Sequence, residues 1–213
     1  MRILFFSIFV FLLSFSCTRK IGQNGSSALA ANFSSAQATL IKEKNKNQSM
    51  RLFLTTNESD SLLLRTKSQN VQPDFNDDIL RHFVDRLYAT VTDSTNLGVG
   101  IAAPQVGILK NIIWVQRFDK EGFPFEVYLN PKIVQYSTKT QDCPEGCLSI
   151  PDKRATTQTR SYAILIEYDQ MDGSHHIEMV EDFTAVIFQH EIDHLNGVLF
   201  IDHLKSEAKK ADQ

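Results

Sequence analysis

The segment HEIDH, residues 190–194, places two histidines four residues apart with a glutamate between them. On an α-helix, residues i and i+4 lie on one face, so His190 and His194 can direct ring nitrogens at a single point. Glu191 lies one residue round the helix, close enough to act on a water at that point without binding a metal itself. The pattern indicates a catalytic metal site, although two incidental histidines on an ordinary helix would have the same spacing.

The residues around the motif favour metal ligands. A helix is predicted over residues 182–195, ended by Asn196 and Gly197. Its apolar face carries Phe183, Val186 and Ile187 together with both histidines. An unpaired buried imidazole costs about 1–3 kcal/mol, so a histidine pair on a core-facing stripe needs a polar partner.

The third ligand separates the classes of metal site. In one large group of metallopeptidases a third histidine follows in HExxHxxGxxH, but Phe200 occupies that position and His203 lies three residues too far along. A second group uses a glutamate from a following helix, and Glu207 lies too close behind His194 for a separate helix to return it. Upstream, Cys147 in CPEGCLSIP offers a thiolate, which with two imidazoles forms a set of three ligands that leaves one position open.

Two other interpretations of Cys147 stay open. Most free cysteines are small core residues. Alternatively Cys143, four residues earlier, forms a bridge or a metal clip with Cys147, because Pro144 and Gly146 permit a tight loop. In an oxidising compartment such a bridge would remove the third ligand.

The order of the predicted elements favours an α+β domain. A helix capped by Asn76 has apolar residues at spacings of three and four from Ile79 to Val91, and a glycine-rich loop over residues 98–107 follows it. The strands, of which the last two form a hairpin, are predicted over residues 111–116, 125–130, 133–136, 162–168 and 175–180. Pro131 is expected to stop one strand, with residues 133–136 continuing it on the far side of the proline. His175 and His176 are expected to face solvent.

Composition fits one globular domain that binds no nucleic acid. The 213 residues are 42% hydrophobic, which is enough for a core. The net charge of -3 argues against nucleic acid or an anionic membrane surface as the main partner. The domain is predicted over residues 51–204, followed by a polar tail over residues 205–213.

The composition of the first 50 residues predicts a leader followed by a linker. Residues 1–17 carry one arginine and an apolar run that is too short to span a bilayer comfortably, which takes about 20 residues. The run matches a secretory signal, and Cys17 after it resembles a bacterial lipoprotein signal. Residues 18–50 are rich in polar and small residues and are predicted to be a disordered linker. Export or membrane anchoring is therefore expected, with an uncleaved anchor, a misassigned start or a cytoplasmic protein as alternatives.

Three segments resemble the signature motifs of the peptide deformylase family. They are GVGIAAPQ at residues 98–105, EGCLS at residues 145–149 and QHEIDHLNG at residues 189–197, in the family's order and at its typical spacings. The resemblance covers roughly residues 50 to 204. It implies antiparallel sheets around a central metal-binding helix, and hydrolysis of the N-formyl group from the initiator methionine of a new polypeptide, with release of formate.

The resemblance also implies a role for each site residue. Cys147, His190 and His194 hold the metal, and Glu191 acts first as general base and then as general acid. The amide of Gln105 and the backbone N–H of Leu148 stabilise the oxyanion. The residues expected to contact the substrate are Gly98, Val99, Gly100, Glu145 and Arg154.

The resemblance implies iron(II) as the usual metal, with zinc, nickel or cobalt as substitutes, and the ligand types alone do not choose among them. The implied partners are a formylmethionyl peptide and, for a cytoplasmic protein, the ribosome with its nascent chain. One alternative is an exported metallo-amidase or peptidase on the same scaffold that acts on short formylated peptides. Another is a lipid-anchored protein with a vestigial site, against which the intact Glu191 and Gln105 weigh.

Overall fold

The computed structural model describes residues 32–211, so the predicted leader and the first part of the predicted linker lie outside the described residues. No helix within residues 32–211 is long and apolar enough to cross a membrane. The elements are helices α1 (Ser35–Lys42), α2 (Glu58–Leu64), α3 (Asp78–Val91), α4 (Asp182–Leu195) and α5 (Phe200–Ala211), a 3-10 helix (Ala103–Val106), and strands β1 (Gly100–Ala102), β2 (Ile112–Gln116), β3 (Phe125–Tyr136), β4 (Thr140–Cys147), β5 (Ile150–Ser161), β6 (Ala163–Asp169) and β7 (His175–Glu181).

The strands form two antiparallel sheets, which confirms the predicted α+β class. Five strands pair in the order β1-β2-β3-β6-β7, and β4 pairs with β5 in a separate hairpin. Alternate residues of the larger sheet face opposite sides. Ile112 packs with α3 residues in one apolar cluster, whereas Ile113 packs with α4 residues in another. The sheet therefore holds α3 and α4 on its two faces, and α4 is a central helix that is buried nearly all round.

Two predicted boundaries were wrong. The cap of α3 is Asp77, whose Oδ1 accepts from the backbone N–H groups of Ile79 and Leu80, at 2.9 and 3.0 Å. The strand before Pro131 continues past it to Tyr136, because a register shift between Leu129 and Lys132 removes the need for the hydrogen bond that proline cannot donate.

Other elements were missed. The predicted glycine-rich loop contains β1 and the 3-10 helix, and the sequence pattern indicated neither β4 nor β5. Those two strands are mostly polar, so they lack the alternation of apolar residues by which a half-buried strand is recognised. The predicted polar tail is also partly helical, since α5 extends to Ala211.

The described part of the predicted disordered linker, residues 32–50, is ordered. The N-terminus of α1 has a capping box, in which the side chains of Ser34 and Gln37 each accept from the other's backbone N–H. Phe33, Ile41 and Met50 are buried in the same apolar cluster as α3. Although the segment has few apolar residues, these three are buried, and their burial offsets the entropy of ordering the chain.

Arg86 of α3 joins this segment to the domain. This residue is 2% exposed, and its guanidinium donates to the backbone carbonyls of Leu40, Ile41, Gln48 and Ser49, at 3.0–3.1 Å. Arg86→Leu should lower the free energy of unfolding by about 3 kcal/mol, because buried carbonyls would lose charged donors. Urea unfolding measures the change.

Arg81→Leu is the matched control, because Arg81 lies on the same helix with a side chain that is 42% exposed. Its effect should stay within about 0.5 kcal/mol, as for most surface changes. Equal losses in the two variants would show that Arg86 does not anchor the segment.

Candidate active site

The two histidines of α4 meet Cys147 at the end of β4. One possible ligand atom from each of Cys147, His190 and His194 lies within 4.8 Å of the other two, and Cys147 Sγ is 3.2 Å from His194 Nε2. One thiolate and two imidazoles suit a divalent ion that is four-coordinate with one open position. The donor set and its spacing therefore fit a catalytic metal centre.

A buried carboxylate orients His190. The Nδ1 of His190 lies 2.7 Å from Glu145 Oε2, so its other ring nitrogen is left for a metal. Arg160 donates to both carboxylate oxygens of Glu145, at 2.8 and 2.9 Å. Although burial opposes ionisation, the hydrogen bonds from His190 and Arg160 hold the pKa of the Glu145 carboxyl far below its usual range. By contrast, His194 Nδ1 is buried and makes no hydrogen bond within residues 32–211.

The environment of Cys147 favours the thiolate, which is the form that binds metals. Burial works against ionisation, but the charge of His194 and the hydrogen bonds of His190 and His194 lower the pKa of the thiol well below its ordinary value. The backbone N–H of Ser149 donates to Cys147 Sγ at 3.4 Å, and Gln105 Nε2 lies 3.7 Å from it.

Glu191 lies beside the cluster and is 4% exposed. Burial raises the pKa of its carboxyl to about 7. Its Oε2 is buried without a hydrogen-bond partner in the described part of the chain. A carboxyl group with such a pKa can take up and return a proton near neutral pH, as a general base and acid must.

Gln105 is buried rather than a surface loop residue. Its Oε1 accepts from the backbone N–H of Ala102 at 2.8 Å, and its Nε2 donates to Ser149 Oγ at 3.3 Å. The side chain is 2% exposed, and it lines the same cleft as the metal cluster. Its amide is therefore fixed in orientation, as a preorganised donor has to be.

A cleft of about 910 Å³ lies between β1, α4 and the β4–β5 hairpin, and it is lined by Gln105, Cys147, His190 and Glu191. Leu148 lies in the turn of that hairpin, and Arg154 is exposed on β5 opposite Gly146. The predicted substrate contacts all line the cleft; they are Gly98, Val99, Gly100, Glu145 and Arg154. The carboxylate of Glu145, however, is 5% exposed and already bound on both oxygens, so we assign it to the support of His190.

The family model for polypeptide deformylases matches residues 51–210. The chain belongs to this family. Its members are metal-dependent hydrolases that remove the N-formyl group from formylmethionyl peptides. The match ends close to the end of α5 and excludes the ordered segment of residues 32–50 that packs on α3.

Individual deformylases agree with the family match. The chain is 37% identical to the peptide deformylase of Finegoldia magna over 140 residues, which are 66% of this chain and 82% of that protein. It is 42% identical to that of Brucella suis over 130 residues, 60% and 72% of the two chains. The Met-Ala-Ser-bound class I type b enzyme of Acinetobacter baumannii superposes with a TM-score of 0.65 at 30% identity, covering 74% of this chain and 99% of that one.

The alternative interpretation, a bridge between Cys143 and Cys147, is not formed in the structure, since both thiols are free. The two residues lie four apart on the extended strand β4, which places their Cα atoms about 13 Å apart. A disulfide requires Cα atoms within about 7 Å. The Cys147 thiol is therefore available to a metal.

Sequence reasoning missed two residues that support the site. Arg160 fixes Glu145, and Ser149, which is fully buried, contacts both Cys147 and Gln105. Ser149 could have been found, because it ends the motif EGCLS. Arg160 carried no such signal, since its place depends on the register of the β4–β5 hairpin.

Gly100 leaves room for the Glu191 carboxylate. A Cβ atom at position 100 would lie 2.5 Å from Glu191 Oε1 and 2.9 Å from Ile187 Cγ2. In Gly100→Ala the carboxylate must move, and a displacement of about 1 Å can cost 10²-fold in rate. We expect kcat/KM for a formylated peptide to fall by about this factor.

Gly146→Ala adds the same methyl group on the opposite side of the cleft, where the nearest atom, Arg154 Cγ, is 3.4 Å away. Its kcat/KM should stay within about threefold of wild type, because 3.4 Å is ordinary van der Waals contact. A Gly100→Ala protein with unchanged kinetics would contradict the placement of Glu191.

Proposed function

We propose that this chain hydrolyses the formyl amide of N-formylmethionyl peptides, with Cys147, His190 and His194 as the metal ligands. The observation that carries the proposal is that Cys147 and His190 of the Cys/His/His cluster line one cleft together with Glu191 and Gln105. A metal centre, a proton acceptor and an amide donor are the parts that hydrolysis of an amide requires.

The cleft also suits an extended peptide. Strand β1 is at the edge of the larger sheet, so backbone groups of residues 98–100 can pair with a peptide by strand addition. Phe183, Val186 and Ile187 of α4 line the same cleft and offer an apolar surface for a methionine side chain. On the opposite rim, Arg154 can donate to substrate carbonyl groups.

In the proposed reaction, a water attacks the formyl carbon and Glu191 takes its proton. A divalent ion at the three ligands supplies Lewis acidity, which lowers the pKa of water and polarises a carbonyl group. Gln105 Nε2 and the N–H of Leu148 donate to the formyl oxygen as it gains charge. Glu191 then delivers the proton to the amide nitrogen, the C–N bond breaks, and formate and a free amino group are released.

For the metal we propose iron(II), with zinc, nickel or cobalt able to replace it. One thiolate and two imidazoles accept all four ions, so the ligand types support a borderline-soft divalent metal. Metal analysis and activity after purification with and without oxygen test this choice, because oxygen oxidises iron(II) to iron(III), whereas zinc(II) has no redox chemistry.

We further propose that the leader attaches the protein to a membrane. The support is the apolar run of residues 3–15 followed by Cys17. A cytoplasmic protein would instead meet its substrate on the ribosome. Sequencing of the mature N-terminus decides, since a lipid-modified Cys17 requires the first interpretation and an intact, soluble Met1 form requires the second.

Formate release from formyl-Met-Ala-Ser by iron-loaded protein under anaerobic conditions tests the function. Acetyl-Met-Ala-Ser is the matched substrate, and a chelator-treated sample is the matched protein. We expect the loaded protein to release formate from the formyl peptide and no acetate from the acetyl peptide, and the chelator-treated protein to release neither. Absence of formate would contradict the proposal, and equal cleavage of the acetyl peptide would indicate a general amidase.

A further inference from the structure

Helix α5 carries the two residues that the sequence excludes as metal ligands, His203 and Glu207. Both contact residues that surround the proposed metal centre. His203 Nε2 lies 2.8 Å from Asp193 Oδ2. Glu207 Oε1 accepts from the backbone N–H groups of Gln158 and Thr159, at 2.9 and 3.0 Å. His203 and Glu207 are four residues apart, so they share one face of α5.

A continuous chain of charged groups leads from His203 to a metal ligand. Asp193 accepts from Arg160 Nη1 at 2.6 Å, and Arg160 donates through Nε and Nη2 to Glu145. Glu145 in turn holds His190 at Nδ1. The side chains of Arg160 and Glu145 are 2% and 4% exposed, so water cannot replace a lost partner there.

Helix α5 restrains Arg160 from two directions. Glu207 holds the backbone of the two residues that precede Arg160 on β5, whereas His203 holds the Asp193 carboxylate that binds its guanidinium. The helix also touches the ligand itself, since the ring of Phe200 stacks on that of His190 with centroids 6.0 Å apart.

We propose that His203 is a positioning residue for the metal centre. By holding Asp193 against Arg160 it keeps the Arg160 guanidinium in the plane that serves Glu145, and Glu145 then keeps His190 turned toward the metal. Outer hydrogen-bond partners of metal-binding histidines fix ring orientation and so contribute to affinity. This inference rests on the ligand set proposed above.

The test is the rate at which zinc-loaded protein releases its metal to an excess of a colour-forming chelator. His203→Leu removes the hydrogen bond, whereas His203→Gln can place an amide N–H where Nε2 lies. We expect release to be about tenfold faster in His203→Leu, as for the loss of an outer partner, and close to wild type in His203→Gln.

His175→Leu is the matched control, because His175 pairs with Asp169 at the same 2.8 Å on the hairpin of β6 and β7. It should release zinc at the wild-type rate. Equal rates of zinc release from His203→Leu and His175→Leu would overturn the proposal. This holds even if His203→Leu lowers the stability of the metal-free protein, because His203 would then contribute to packing and not to the metal centre.

His203→Asn, whose shorter side chain cannot reach Asp193, replaces His203→Leu in the same comparison should the leucine variant not fold. A wild-type protein that binds no zinc would contradict the ligand set itself. That failure is distinguishable from a failure of the role of His203, which needs a wild-type protein that holds the metal.

Discussion

Replacing Glu191 with glutamine should lower kcat for formyl-Met-Ala-Ser by about 10²–10⁴-fold, the usual contribution of a general acid–base group. The amide has nearly the same shape as the carboxyl but cannot accept the proton of the attacking water. Metal content should not change, because Glu191 is not among the three clustered ligand residues. Removing a buried ionisable group should also leave the free energy of unfolding equal or higher.

Formate release, metal content and urea unfolding measured on the same preparations separate these effects. Glu181→Gln makes the same chemical change at an exposed residue just before α4, and its side chain forms no capping hydrogen bond. Its kcat should equal that of wild type. A Glu191→Gln protein that keeps full metal and more than about a tenth of the activity would remove Glu191 from the proton transfer, since the expected loss is far larger.

Helix α4 was the part of the site that the sequence predicted most completely. The predicted span of residues 182–195 is that of α4, and the i, i+4 rule alone placed His190 and His194 together. Both are local properties of one helix. Cys147 was predicted as a ligand by excluding other third ligands and from the motif that surrounds it. No local sequence pattern indicates that the end of β4 lies against α4.

The residues that hold the proposed metal ligands in place could not be predicted from such local patterns. Arg160, Asp193 and His203 come from three elements, and their contacts depend on the register of β5 and on the packing of α5. The sequence also excludes His203 and Glu207 as third ligands of the metal site. The structure shows that they bind the residues around it instead.

The segment of residues 32–50 shows that amino-acid composition alone does not predict whether a segment is ordered. Composition averages over many positions, so a segment rich in asparagine, lysine and serine reads as disordered. Its order depends on a few matched contacts, chiefly Phe33 and Ile41 in the core and Arg86 on the carbonyl groups. Such contacts become visible only when the partner surface on α3 is known.

Cys147 should prove the ligand on which metal binding depends most. It is the one clustered ligand that does not come from α4, so the two histidines without it offer a pair on a single helix face. Cys147→Ala should therefore lower metal affinity by more than the 10–100-fold that is typical of losing an outer partner. Formate release should fall with the metal content, and added metal should restore little of it.

Cys143→Ala is the control, because Cys143 is a buried free thiol on the same strand, four residues away and outside the metal cluster. It should keep one metal per chain. In metal-free protein, Cys147→Ala should change the free energy of unfolding by less than about 1 kcal/mol, since it deletes one half-buried sulfur atom. A large loss of metal with little loss of stability would identify Cys147 as a ligand, whereas a Cys147→Ala protein that retains one metal per chain would show that the thiolate is not one.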